Sequence, residues 1–143
     1  MKPIELNIDI GIQTFNINGI GEVRFQPNDP EIIVRFEEIQ KNIKDKLKSV
    51  NNNPSSEELK DVIQYIKEQM NYLFNYDVSE ILFKHCSPLA VGNNGCYVLY
   101  NIFESLSPYM GNKYEKAEQT TMNRAERRSY EKRKKYIGKY GIR

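Results

Sequence analysis

The sequence predicts an α+β fold, mostly α: an N-terminal β-hairpin or meander, then four to five helices and a basic C-terminal tail. Three observations predict it. Apolar and polar residues alternate over residues 4–12, an Asn18-Gly19 pair follows at hairpin spacing, and from Asp29 onward apolar residues recur at steps of three and four. The 143 residues amount to one domain, and a body of that size buries enough surface to fold without a disulfide or a metal. We expect a single α+β domain over residues 1–110, with the hairpin at 3–26 and the helical part at 29–110. A polar linker and a basic helix or tail follow at 111–143.

Ile4, Leu6, Ile8, Ile10 and Ile12 alternate with Glu5, Asn7, Asp9 and Gly11, which puts five β-formers on one face of a strand. The parity shifts near Gln13-Thr14, and a bend or bulge is expected there. Phe15 and Ile17 then lead into Asn18-Gly19, the pair that best accepts the positive φ angles of a tight turn, and Val23 and Phe25 continue the second strand.

Asp29-Pro30-Glu31 is a helix start, with Asp as cap, Pro where no N–H is needed, and an acid in the first turn. Ile32, Phe36, Ile39, Ile43 and Leu47 form its apolar stripe, and Asn51-Asn52-Asn53-Pro54 breaks it. Ser55 with Glu58 makes a capping box for a second helix, whose stripe is Leu59, Val62, Ile63, Ile66, Met70 and Leu73 or Phe74. Asp77 and Glu80 can cap a short third helix carrying Val78, Ile81, Leu82 and Phe83, which Ser87-Pro88 ends. After the Gly92–Gly95 loop, Val98 or Leu99, Ile102, Phe103, Leu106 and Met110 give a fourth stripe, closed by Ser107-Pro108 and Gly111-Asn112. Asn123 and Glu126 can cap a last, basic helix with only Ala125, Tyr130, Tyr136 and Ile137 for apolar company.

The formal charge of +2 conceals an asymmetry. From Arg124 to Arg143 nine basic residues face two acids, a net of +7, while the first 123 residues carry twelve bases against seventeen acids, a net of −5. Such a segment suits a polyanion or an acidic protein surface. No apolar run approaches the roughly 20 residues of a membrane span. The N-terminus alternates instead of presenting a hydrophobic signal region, so a cytoplasmic protein with no membrane partner is expected. Cys86 and Cys96 lack metal or redox spacing, and each is expected to be a free thiol serving as a small buried hydrophobe.

Residue types that carry catalysis do not converge. His85 and Cys86 are adjacent and point apart on either helix or strand. One His and two scattered Cys cannot complete a zinc site, so neither metal nor cofactor is expected. Glu37-Glu38 and Glu57-Glu58 read as solvated helix faces, and Gly19-Ile20-Gly21 and Gly92–Gly95 as turns that lack a phosphate-loop pattern. No enzymatic activity is expected. Tyr65, Tyr72, Tyr76, Tyr97 and Tyr100 cluster on the middle helices, where a phenolic ring either packs with its hydroxyl at the rim or anchors a protein interface.

The order of several strings resembles the short tail assembly chaperones of long-tailed, siphovirus-type phages and prophages of low-GC bacteria. The resemblance rests on Phe25-Gln26-Pro27-Asn28-Asp29 opening a helix with Arg35-Phe36, on Ile63 to Phe83 with its Asn75-Tyr76-Asp77-Val78-Ser79 step, and on Ser87-Pro88-Leu89-Ala90-Val91 followed by Asn101-Ile102-Phe103-Glu104. It covers residues 13–110 and leaves out the N-terminal strand and the basic end. It implies a non-virion helper in the bacterial host cytoplasm that coats the long, helical tape measure protein until tail tube protein displaces it, and that helps recruit those tube subunits. The client surface it implies lies on the exposed parts of the second and fourth helices, at Tyr65, Tyr72, Phe74, Tyr97, Tyr100 and Phe103. Many copies along one rod would let weak contacts suffice, and a homo-oligomer is compatible with that role. Lys134-Lys135 permits a slippery codon run, hence a longer frameshifted product.

Two other readings compete. A small nucleic-acid-binding protein would use Arg124, Arg127, Arg128, Lys132, Arg133, Lys134 and Lys135, although no recognition-helix motif accompanies them. A structural tail component would remain in the finished virion.

Overall fold

Asn18 and Gly19 set the first element. Both adopt left-handed backbone angles, φ 52° and 72°, which an Asn tolerates and a Gly takes at no steric cost. The turn they make joins β1 (Gln13–Ile17) to β2 (Gly21–Phe25) in an antiparallel hairpin. The Ile20 N–H closes it on the Ile17 carbonyl at 2.8 Å, and the Asn16 side-chain oxygen accepts from the Gly19 N–H at 2.8 Å. Ile20 is an extra residue in the connection, and its consequence is register. It sets Phe15 opposite Val23; a two-residue connection would set Phe15 against Glu22 and turn an apolar row toward water. As built, Phe15, Val23 and Phe25 face inward while Thr14, Asn16, Glu22 and Arg24 are exposed. At Gly21 a Cβ would stand 3.1 Å from Ile81 Cγ2, so a larger residue there would require the Ile81 side chain to shift by a few tenths of an ångström.

The computed structural model describes residues 1–113. It comprises this two-stranded hairpin followed by four helices and is roughly half helical. The hairpin occupies 13–25, not 3–26. Residues 1–12 belong to no strand, and Ile4, Leu6, Ile8, Ile10 and Ile12 are exposed. Alternation marks the two faces of a strand but does not supply the neighbouring backbone that a strand's N–H and C=O groups require. The expected bend falls earlier, at Gly11 (φ 70°), whose N–H donates to the Asp9 carboxylate at 2.9 Å.

The helices begin where local capping dictates. In α1 (Pro30–Lys48), Asp29 accepts from the Glu31 N–H at 2.9 Å, and Ile32, Phe36, Ile39 and Ile43 are buried. In α2 (Ser56–Phe74), Ser55 Oγ accepts from the Glu58 N–H at 3.1 Å, and Val62, Ile66, Met70, Leu73 and Phe74 are buried. Leu59, expected in this stripe, is exposed one turn before the core begins. Asn75 ends α2 in a left-handed conformation, φ 62°.

The short α3 (Ser79–Leu82) departs from expectation at its cap. Neither Asp77 nor Glu80 caps it; the side-chain oxygen of Asn71, on the last turns of α2, accepts from the Val78 and Ser79 N–H groups at 2.9 and 3.0 Å. Asp77 instead accepts from the Ser79 hydroxyl. In α4 (Val98–Leu106) the first turn is satisfied by the preceding loop: Val98 and Leu99 N–H donate to the Ala90 and Pro88 carbonyls at 2.8 and 3.0 Å. A 3₁₀ turn at Ser107–Tyr109 follows, and the Gly111 N–H donates to the Pro27 carbonyl at 2.8 Å, tying the end of this unit to the exit of β2. Met1–Gly111 forms one compact unit. The expected last helix, with Asn123, Ala125, Glu126, Tyr130, Tyr136 and Ile137, lies outside the described residues.

Cys86 and Cys96 are both free but exposed, not buried. Each sits in a polar loop where the chain turns at the surface, and there the preference of cysteine for interiors has nothing to act on. Both thiols of the folded protein should therefore react rapidly with a thiol-specific chromogenic reagent without denaturant; slow reaction of either would contradict the placement. Asn71→Ala should cost about 1–3 kcal/mol, because two partly buried N–H groups lose their shared acceptor, whereas Asp77→Ala should stay within about 0.5 kcal/mol. Urea unfolding of the two variants checks the ordering.

Candidate functional site

The six aromatic positions expected to form a client surface separate into three groups. Phe74 and Phe103 are buried, at 5% and 6% exposure, and neither can meet a client. Phe74 and Phe25 form a T-shaped pair with ring centroids 4.7 Å apart, and Phe103 and Phe36 form another at 5.8 Å. Both lie on the apolar stripes of their helices, and hairpin and α1 close over them.

Tyr65 and Tyr72 form a seam between α1 and α2. The Tyr72 hydroxyl donates to Glu38 at 3.2 Å and the Arg35 guanidinium lies 5.3 Å from its ring centre. One turn along, the Asn42 amide donates to Gln69 Oε1 at 3.3 Å, and one turn further Lys46 Nζ lies 5.5 Å from the Tyr65 ring centre. Positions 38, 42 and 46 of one helix meet 72, 69 and 65 of the other, the order of an antiparallel pair. The two rings thus serve the molecule's own helix pairing, each contact being worth about 0.5–1 kcal/mol at an exposed site. Tyr76 acts similarly: its hydroxyl accepts from the Arg24 N–H at 2.8 Å and fastens α2 to the outer edge of β2.

Tyr97 and Tyr100 make the remaining group. Each is 39% exposed, their ring centroids are 5.8 Å apart, and Tyr100 leans toward Phe103 at 6.4 Å. Val91, exposed, pairs with Tyr97 in an isolated antiparallel bridge. The Gly92 N–H to Cys96 carbonyl bond, at 2.8 Å, and the mutual amide contacts of Asn94 and Asn101 hold the loop beneath them. A small aromatic and aliphatic patch with an asparagine rim therefore stands on a rigid base, because Leu99 and Phe103 anchor the opposite face of α4 in the core. Its sequence signal was position: Tyr97 and Tyr100 fall off the apolar stripe that Phe103 and Leu106 continue.

Elsewhere a surface hollow is lined by Ile20, Ile81 and Phe83 together with the polar Lys67, Ser79, Glu80 and Lys84. Among the described residues no three His, Cys, Asp or Glu side chains gather as metal ligands, and no helix is long and apolar enough to cross a membrane. Arg124, Arg127, Arg128, Lys132, Arg133, Lys134 and Lys135 lie outside the described residues. Comparison with family models, curated proteins and solved structures yields no match.

Core and surface roles predict opposite stability effects. Phe74→Ala and Phe103→Ala should each cost about 3–5 kcal/mol, while Tyr97→Ser and Tyr100→Ser should each cost less than about 1.5 kcal/mol. Thermal unfolding monitored by circular dichroism separates the two pairs.

Proposed function

We propose that this chain is a tail assembly chaperone of the siphovirus type, acting in the host cytoplasm to keep the tape measure protein soluble until tail tube protein replaces it. The observation that carries the proposal is the Val91–Tyr97–Tyr100 patch: apolar surface exposed to water at the start of α4 and on the loop before it, with a polar rim. The order of strings from Phe25 to Glu104 adds the family resemblance.

The chemistry suits a temporary cover. A tape measure exposes long apolar helix faces before the tube encloses it, and such faces aggregate unless something lies over them. Phenolic rings bury a large area at low entropic cost while keeping the hydroxyl in water. A patch of two rings and one valine is far below the size of a stable interface, so a single contact is weak and readily displaced by tube subunits. Repetition along a rod supplies the affinity that one patch lacks.

Co-expression with the tape measure protein should raise that protein's soluble yield several-fold. The double variant Tyr97→Glu, Tyr100→Glu should abolish the gain while leaving its own helical content unchanged. If the unsubstituted chain leaves the client insoluble, the proposal fails. Purified virions should also lack the chain by mass spectrometry; its presence there at stoichiometric level favours a structural tail component instead.

A further inference from the structure

We infer that residues 4–12 are the third strand of a sheet completed by a second copy: the arm of one chain lies along the β1 edge of another, and the exchange is reciprocal. Five large aliphatic side chains stand in water along this arm, from 88% exposed at Ile4 to 42% at Ile12. Covering them would remove apolar surface from water, the main favourable term in association.

Among the described residues the sheet has only two strands, hence two edges. The β2 edge is engaged: the Arg24 N–H points away from β1 and donates to the Tyr76 hydroxyl. Among the described residues no strand pairs with the β1 edge, and an open edge is a template for strand addition.

The faces match. Along β1, Phe15 and Ile17 point inward and Thr14 and Asn16 outward. The arm has the same two-sided character, with Ile and Leu on one face and Glu5, Asn7 and Asp9 on the other. Tyr109 packs against Phe15, ring centroids 5.3 Å apart, yet stays 45% exposed, an apolar floor that an added strand would cover. The length matches as well. Nine extended residues span roughly 30 Å against roughly 17 Å for the five of β1, so the arm can cover the edge and retain a few residues to cross between copies.

The root of the arm decides which copy is used. The Gln26 side-chain amide donates to the Ile10 carbonyl, and Gln26 follows the end of β2. That clip, with the Gly11 turn beside it, holds the root on the β2 side, away from the β1 edge of its own chain. A two-fold pair satisfies both arms at once. The inference goes beyond the client-binding proposal, whose test reads Tyr97 and Tyr100 and not the arm.

Sedimentation of the full chain should show a dimer at about 100 µM that dissociates on dilution by mass action. The double variant Leu6→Asp, Ile8→Asp should weaken the dimer roughly hundredfold or more, with an unchanged circular dichroism spectrum, since neither residue belongs to the buried core. Hydrogen exchange should slow at residues 4–12 and 13–17 together in the dimer, and at neither in the variant. A monomer at about 100 µM overturns the inference, as does a dimer indifferent to the two substitutions. Arm amides protected in the diluted monomer would mean that the arm folds on its own chain, and would overturn it too.

Discussion

A two-stranded hairpin is marginal in water, so this one exists because Phe25 is held against Phe74. The rest of the unit follows from that contact. Phe15 stacks on Phe25 at 4.9 Å, Tyr109 closes on Phe15, and Phe25 meets the last turn of α2 edge-on. The run of four rings ties β1, β2, α2 and the 3₁₀ turn after α4 into one core. It depends on register, because only the extra residue at Ile20 brings Phe15 and Val23 to the same face. Among the described residues it also leaves the sheet with two strands and hence two edges, the condition on which the inferred exchange rests.

Tyrosine does two different things here, and the difference is set by what lies across from it. Where a charged or amide side chain of a neighbouring helix comes within reach, the ring joins the helix pairing: Tyr72, itself 44% exposed, with Glu38 and Arg35, and Tyr65 with Lys46. Where the neighbour is another tyrosine and a valine on a loop, as at Tyr97 and Tyr100, the ring stays 39% exposed among the described residues. Composition alone does not separate the two cases, since both groups lie beside apolar stripes on amphipathic helices.

Much of the fold was legible because its determinants are local. Asp29-Pro30 and Ser55 with Glu58 state the starts of α1 and α2 within four residues, and Asn18-Gly19 states the turn. What escaped was nonlocal. The α3 cap comes from Asn71, seven residues upstream and on the other side of a left-handed helix end. The missing partner of residues 4–12 cannot be read from alternation, which specifies faces and not neighbours. Of the candidate site, Tyr72, Tyr97 and Tyr100 are exposed, Tyr65 is half-buried, and Phe74 and Phe103 are buried. The stripes of α2 and α4 already contained both phenylalanines, so periodicity was the sounder guide than residue type.

The two exposed apolar features differ in a way that bears on how each would work. The arm is a period-two row with backbone groups to satisfy, and strand addition answers both needs with a nearly fixed geometry. The Tyr97 and Tyr100 patch offers side-chain surface instead, so in the proposed role it would accept a helical face in many registers. A partner with a long, repetitive apolar face requires that tolerance, because no single register could serve every copy along it. In the proposed dimer each assembly would carry two such patches. Binding at one raises the effective concentration of the second, so modest patches hold together yet release one at a time. A fixed joint between copies and a loose grip on the client are thus complementary, and they call for the two kinds of surface found at residues 4–12 and at Val91, Tyr97 and Tyr100.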